Sequence, residues 1–172
     1  MKNRAIVIVC VVLFAFLASE TANAQQELKK PTMQSSRKEM PRSDMDPSMR
    51  PELEAMLSGA NEVPKADADG SGEAEFTLSA DSMKVCYELA VENIAEATAA
   101  HIHHAPAGEN GPVVVALNAP ADGSSKGCVE EVSADVIKDL LQNPADYYVN
   151  VHNADYPAGA VRGQLSTVAL GK

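Results

Sequence analysis

Three of the four histidines in the chain lie within four residues, in the stretch "HIHH" at positions 101–104. Successive residues of a β-strand project from opposite faces, so a strand here places His101 and His103 on one face and His104 on the other. Two imidazoles on one face form a two-nitrogen chelate for a transition metal such as copper or zinc. This chelate binds a metal firmly only when a third ligand joins it from elsewhere in the fold.

The fourth histidine, His152, is the candidate third ligand. It ends the segment "YYVNVH", in which alternation places the two valines toward the core and His152 on the outer face. If the strands that carry His101 and His152 are neighbours, the sequence predicts a metal site of three nitrogens, from His101, His103 and His152. If the strands lie apart, the histidines are solvated side chains at strand ends.

A single arginine, Arg162, stands in the segment "AGAVRGQL", which is otherwise built mainly from small and apolar residues. Its guanidinium can pair with a carboxylate on a neighbouring strand, or it can offer its fork of N–H groups to an anionic ligand. We favour the structural pair. The sequence shows no Ser-His-Asp pattern, no unpaired nucleophilic cysteine and no glycine-rich phosphate loop, so it favours a binding protein over an enzyme.

Two cysteines, Cys86 and Cys128, lie in segments with strand-like alternation, "MKVCYELAV" and "GCVEEV". In both segments the cysteine falls on the polar face. Two such cysteines can form a disulfide when their strands are neighbours, and export would place them in an oxidising compartment. We therefore predict a Cys86–Cys128 disulfide; the alternative is two free thiols.

The N-terminal residues 1–24 have the three parts of a secretory signal peptide. Lys2 and Arg4 form a basic head, residues 5–17 are an apolar run, and Ala-Asn-Ala at 22–24 is a small-residue cleavage signal. The apolar run is shorter than the roughly 20 residues that a membrane-spanning helix needs. We therefore expect a secreted or periplasmic protein with no membrane span in its mature chain.

Residues 25–52 contain prolines, mixed charge and few apolar side chains, which is typical of a disordered tether. The whole chain has a formal net charge of −10 at pH 7. Such a charge repels the phosphates of nucleic acids and anionic lipids and attracts cations. Apart from a metal ion, the partner that we expect is an extracellular or envelope protein.

Residues 53–168 have the length of one domain, and period-two alternation between turn signals recurs along them. It predicts eight short strands, at 53–57, 72–79, 83–91, 97–104, 113–117, 127–132, 147–152 and 160–168. One segment, 133–142, has helical spacing after Ser133 as N-cap. The sequence therefore predicts an all-β sandwich or Greek-key barrel with one short helix.

Three stretches in this order resemble the CHRD domain family, named for chordin and found in exported bacterial proteins. They are "LSGANEVP" at 57–64, "TAAHIHHAPAGENGPVVVAL" at 98–117 and "YYVNVHNADYPAGAVRGQL" at 147–165. The resemblance implies an immunoglobulin-like β-sandwich, and Cys86 and Cys128 are additions to the family pattern. Our first hypothesis is thus an exported, non-enzymatic binding module that holds copper or zinc; the second is a metal-free protein–protein interaction or scaffold module.

A weaker similarity is to copper-zinc superoxide dismutases, in which a His-x-His strand, a later Val-x-His strand and an arginine meet outside a Greek-key barrel. It implies that His101, His103 and His152 are copper ligands and that Arg162 stands beside the open coordination position. The chain departs from that pattern because no histidine remains to bridge to zinc and the zinc-ligand loop is absent. A third hypothesis follows, a mononuclear copper redox enzyme in which Arg162 guides a small anion.

Overall fold

The computed structural model describes residues 52–168, which form nine strands, one α-helix and two short 3-10 helices. The strands are β1 (Leu53–Ser58), β2 (Ser71–Ser79), β3 (Lys84–Glu92), β4 (Ala97–His104), β5 (Val113–Leu117), β6 (Ser124–Val129), β7 (Tyr147–Asn153), β8 (Val161–Gln164) and β9 (Ser166–Thr167). The α-helix α1 is Ala134–Gln142, and the 3-10 helices are Gly59–Asn61 and Pro144–Asp146. The predicted signal peptide (1–24) and all but the last residue of the predicted tether (25–52) lie outside the described residues.

The strands form one antiparallel sheet in the order β5-β4-β7-β8-β1-β2-β3-β6, and β9 pairs with β1. Strands β5 and β6, at the two ends of this order, contact each other. The sheet therefore curves around its core and is nearly closed into a barrel. The predicted all-β class with one short helix is confirmed. Within residues 52–168, no helix has the length and apolar character that crossing a membrane requires.

Period-two alternation places the core inside the curved sheet. In β3 the alternate residues Val85, Tyr87, Leu89 and Val91 are buried, while the residues between them are partly or fully exposed. The helix α1 covers the core with Ile137 and Leu140, and the hydroxyl of Ser133 caps it by accepting a hydrogen bond from the backbone N–H of Asp135.

Most strand ends lie within one residue of the prediction, but two strands differ more, and the sixth ends at Val129 rather than 132. The sixth begins at Ser124 rather than 127, because Ser124 and Ser125 pair with β3 although small polar residues are typical of a turn. The predicted strand at 160–168 is divided at Leu165, a buried residue whose N–H donates to Tyr147 O. There the chain changes its partner: β8 pairs chiefly with β7, whereas β9 pairs with β1.

Cys86 and Cys128 lie directly opposite each other in the β3–β6 register and form a disulfide. The bond joins the last strand in the sheet order, β6, to β3, the strand to which it is hydrogen-bonded. Among the described strands, β4 and β7, which carry the histidines, pair with neither β3 nor β6, and β5 lies between β4 and β6 where the sheet nearly closes.

Candidate functional site

Strands β4 and β7 are direct neighbours in the sheet. In their antiparallel register His101 lies opposite Asn150 and His103 lies opposite Tyr148, while His152 follows two positions further along β7. These five side chains share the outer face of the sheet, because the residues that alternate with them are buried in the core. The neighbouring strands that a three-histidine site requires are therefore present.

The three imidazoles converge on one point. One ring nitrogen from each of His101, His103 and His152 lies within 4.8 Å of the other two. The closest pair is Nδ1 of His101 and Nε2 of His152, which are 3.1 Å apart. His104 lies on the opposite face, where its ring packs against Tyr147 with a centroid separation of 4.7 Å. Alternation along β4 thus separates the fourth histidine from the cluster.

Backbone carbonyls fix the tautomers of two of these histidines. Nδ1 of His103 lies 2.9 Å from Gly111 O, and Nδ1 of His152 lies 3.2 Å from Pro157 O. A carbonyl oxygen only accepts, so each Nδ1 carries the hydrogen and each Nε2 keeps its lone pair. Nε2 of His103 is buried and has no hydrogen-bond partner among the described residues. This outer-shell support is the arrangement that orients histidines bound to a metal.

Burial keeps the imidazoles neutral. It lowers the pKa of His101, His103 and His152, and the charge of a neighbouring histidine lowers the pKa of His101 and of His152 further. For His103, the bond to Gly111 O opposes the effect of burial, whereas the charge of Arg162 adds to it. With these lowered pKa values, all three rings are neutral near neutral pH. The neutral imidazole is the form that binds a metal.

The cluster is more enclosed than the surface site that the sequence suggests. His103 is only 9% exposed, and its neighbours on the outer face, Tyr148, Asn150 and Arg162, are all buried. Loop residues lie against this part of the outer face: the carbonyl groups of Gly111 and Pro157 contact His103 and His152, and the side chain of Glu62 contacts Arg162. Only His101 and His152 keep partial access to solvent.

Arg162 forms an ion pair inside the fold. Its Nε and Nη2 each lie 3.1 Å from Glu62 Oε2, and both side chains are almost completely buried. Its Nη1 donates to Glu109 O at 2.8 Å, and its Nη2 also donates to Asn110 Oδ1. All three guanidinium nitrogens are thus engaged by the protein. Of the two alternatives for Arg162, this geometry is that of the structural pair.

Glu62 is the main residue of this region that the sequence analysis did not identify as functional. Burial raises the pKa of its carboxyl group, and the adjacent Arg162 opposes that rise. In the sequence, Glu62 is marked only by its place in the motif "GANEVP". Its partner Arg162 lies 100 positions away. Local alternation does not predict an ion pair between side chains that lie so far apart in the sequence.

The described domain is similar to one known protein family. A family model described as CHRD domain matches residues 53–165. No curated protein matches the chain. The matched range includes the three clustered histidines, the disulfide Cys86–Cys128, Glu62 and Arg162.

Proposed function

This chain belongs to the CHRD domain family, and on that premise we propose that it is an exported, non-enzymatic binding module that holds one copper or zinc ion on His101, His103 and His152. The observation that carries the proposal is the convergence of three ring nitrogens within 4.8 Å. Two of these rings are held by backbone carbonyls so that their Nε2 lone pairs remain available.

The donor set determines the class of metal. Three neutral imidazoles suit copper and zinc, whereas magnesium and calcium prefer oxygen ligands. Among the residues that the structure describes, the group of potential ligands at this point consists of the three histidines alone. Three protein ligands leave a coordination position for a solvent molecule or for a ligand from a partner, which fits a protein that stores or delivers its metal.

Two observations support export. Disulfides persist in oxidising compartments, and the chain forms one between Cys86 and Cys128. The N-terminal sequence has the pattern of a secretory signal. A secreted or periplasmic location would expose the site to metal ions outside the cytoplasm.

A binding role is favoured over copper redox catalysis because the guanidinium of Arg162 is hydrogen-bonded inside the protein. Guiding an anion to a bound metal requires a guanidinium with N–H groups directed at open solvent. The nitrogens of Arg162 instead donate to Glu62, Glu109 and Asn110, and its guanidinium carbon lies 4.2 Å above the Tyr148 ring.

The test is metal binding by the full chain, produced by its natural export route without a histidine tag. Metal content is measured on the purified protein, and the metal-free protein is then titrated with Cu⁺, Cu²⁺ and Zn²⁺ in competition with chromophoric chelators. We expect one equivalent of metal. H103A should weaken binding by more than about 100-fold, the upper end of what the loss of an outer-shell partner costs.

H104A is the matched control, because His104 lies on the opposite face of the same strand and its loss should leave the affinity unchanged. A wild-type protein that binds none of the three ions more tightly than about 100 μM would exclude the proposal. That result would favour the metal-free interaction or scaffold module instead.

A further inference from the structure

The short turn of residues 109–111 is held on one side by the buried ion pair. Nη1 of Arg162 donates to Glu109 O at 2.8 Å, and Nη2 donates to Asn110 Oδ1. Asn110 also donates through Nδ2 to Val63 O at 2.9 Å, next to Glu62 in the chain. The position of this turn therefore depends on the guanidinium of Arg162 and on the segment that contains Glu62.

The other side of the same turn holds the histidine site. Gly111 O accepts a hydrogen bond from Nδ1 of His103 at 2.9 Å, while Gly111 N donates to the hydroxyl of Tyr148 at 3.2 Å. The rings of His103 and Tyr148 are stacked, with centroids 4.9 Å apart and planes inclined by 8°. Gly111 thus orients His103 through its carbonyl oxygen, and through its N–H it binds the tyrosine on which His103 packs.

Glu62 determines where the guanidinium lies. The side chains of Arg162 and Glu62 are 3% and 2% exposed, and Glu62 is the carboxylate that neutralises the arginine. Removing one partner of a buried ion pair leaves a charge without compensation. Without Glu62, Arg162 would move toward water or other acceptors, and its two bonds to the turn would be lost.

We propose that Glu62 is a positioning residue of the histidine site: by fixing Arg162 it holds the 109–111 turn, which keeps His103 in the Nδ1–H tautomer with Nε2 directed at the other two histidines. The consequence for metal affinity rests on the proposed function. The effect on the His103 tautomer does not, because it exists in the metal-free protein.

The first measurement follows the imidazole nitrogens of the metal-free full chain by long-range ¹H–¹⁵N correlation, with the His103 signals assigned by comparison with H103A. We expect the wild-type His103 to be wholly in the Nδ1–H form and E62Q to give a mixture of the two tautomers. E130Q is the matched control. Glu130 also pairs with a cation, Lys84 at 3.0 Å, but both partners are exposed.

The second measurement compares copper and zinc affinities. E62Q should bind about 10- to 100-fold more weakly than wild type, the range typical of outer-shell partners, and E130Q should bind as wild type does. If E62Q does not fold, N110A replaces it, because Asn110 is exposed and links the turn to both Arg162 and Val63.

The outcomes separate the two proposals. An unchanged His103 tautomer in E62Q, or in N110A where E62Q does not fold, would overturn the positioning role, whether or not the protein binds metal. A wild-type protein that binds no metal, together with a tautomer change in E62Q, would exclude the proposed function and retain the positioning role of Glu62. A changed tautomer with unchanged affinity would show that Glu62 has no influence on metal binding.

Discussion

Nδ1 of His101 lies 3.1 Å from Nε2 of His152, although 51 positions separate the two residues. Nε2 of His152 has no hydrogen, because its Nδ1 donates to Pro157 O. In the metal-free protein the hydrogen of this contact is therefore on Nδ1 of His101. A metal bound to both nitrogens must displace it to Nε2 of His101.

Metal binding should accordingly change the tautomer of His101 without releasing a proton near neutral pH. Burial lowers the pKa of all three histidines, so their imidazoles stay neutral until the pH falls below the ordinary histidine range. Proton release per metal should be close to zero at about pH 7.5 and should increase as the pH falls.

Calorimetry in two buffers of different ionisation enthalpy measures this release. Cu⁺ is the suitable probe, because a water bound to zinc itself loses a proton near neutral pH. Release of about one proton for each Cu⁺ at about pH 7.5 would show that one histidine is protonated in the metal-free protein, contrary to the expected effect of burial.

The Cys86–Cys128 disulfide should stabilise the domain without affecting the histidine site. The cysteines are 42 positions apart, and chain entropy for a loop of this length gives about 4 kcal/mol. Urea unfolding of C86A/C128A should show a loss of this order. Its metal affinity should equal that of wild type, because among the described strands β3 and β6 pair with neither β4 nor β7. A large loss of affinity would contradict that separation.

The fold class followed from the sequence because a curved sheet with one buried face imposes period-two alternation on its strands. The helix α1 was equally predictable, because its N-cap Ser133 and the helical spacing of Ile137 and Leu140 are local signals. The errors fell where a strand ends or changes its partner, as at Leu165 and at the start of β6. Those boundaries depend on neighbouring strands that local alternation does not encode.

The faces on which the histidines lie were predictable from the sequence. Alternation separated His101 and His103 from His104, and it placed His152 on the outer face. The enclosure of the site was not predictable, because it depends on loops that fold back over the sheet. Glu62 reaches Arg162 from 100 positions away, and Gly111 orients His103 through a backbone carbonyl that has no sequence signature.

The hydrogen bond between Tyr147 and Asp139 should control the acid response of the domain. The hydroxyl of Tyr147 donates to Oδ2 of Asp139, and this bond, followed by the one from the Asn143 amide, lowers the pKa of the Asp139 carboxyl group. A carboxyl group with a lowered folded pKa contributes stability above its unfolded pKa, near 3.8, and loses it as the pH falls through the folded value.

Y147F should therefore raise the pKa of Asp139 and reduce the free energy of unfolding at neutral pH. The difference from wild type should become smaller near pH 3, where the wild-type protein loses this contribution. NMR titration of the Asp139 carboxyl carbon and urea unfolding at both pH values measure the two effects. Y156F serves as the control tyrosine, and an equal pKa of Asp139 in Y147F and wild type would show that the hydrogen bond does not control its ionisation.

The close approach of Gly111 to β4 makes that position intolerant of a side chain. A Cβ atom there would lie 1.9 Å from His104 O and 2.9 Å from the Cβ of Ala105, so the backbone would have to shift. Gly111 also binds His103 through its carbonyl oxygen and Tyr148 through its N–H. G111A should therefore destabilise the domain by about 1–3 kcal/mol and also weaken metal binding.

Gly127 provides the matched control for this substitution, because a Cβ atom there meets nothing closer than the Tyr87 hydroxyl at 3.4 Å. G127A should stay within about 0.5–1 kcal/mol of wild type in urea unfolding and should keep its metal affinity. If G111A weakens metal binding while its unfolding free energy matches that of G127A, the turn acts on His103 through orientation alone. If G111A matches G127A in both measurements, the carbonyl of Gly111 does not orient His103.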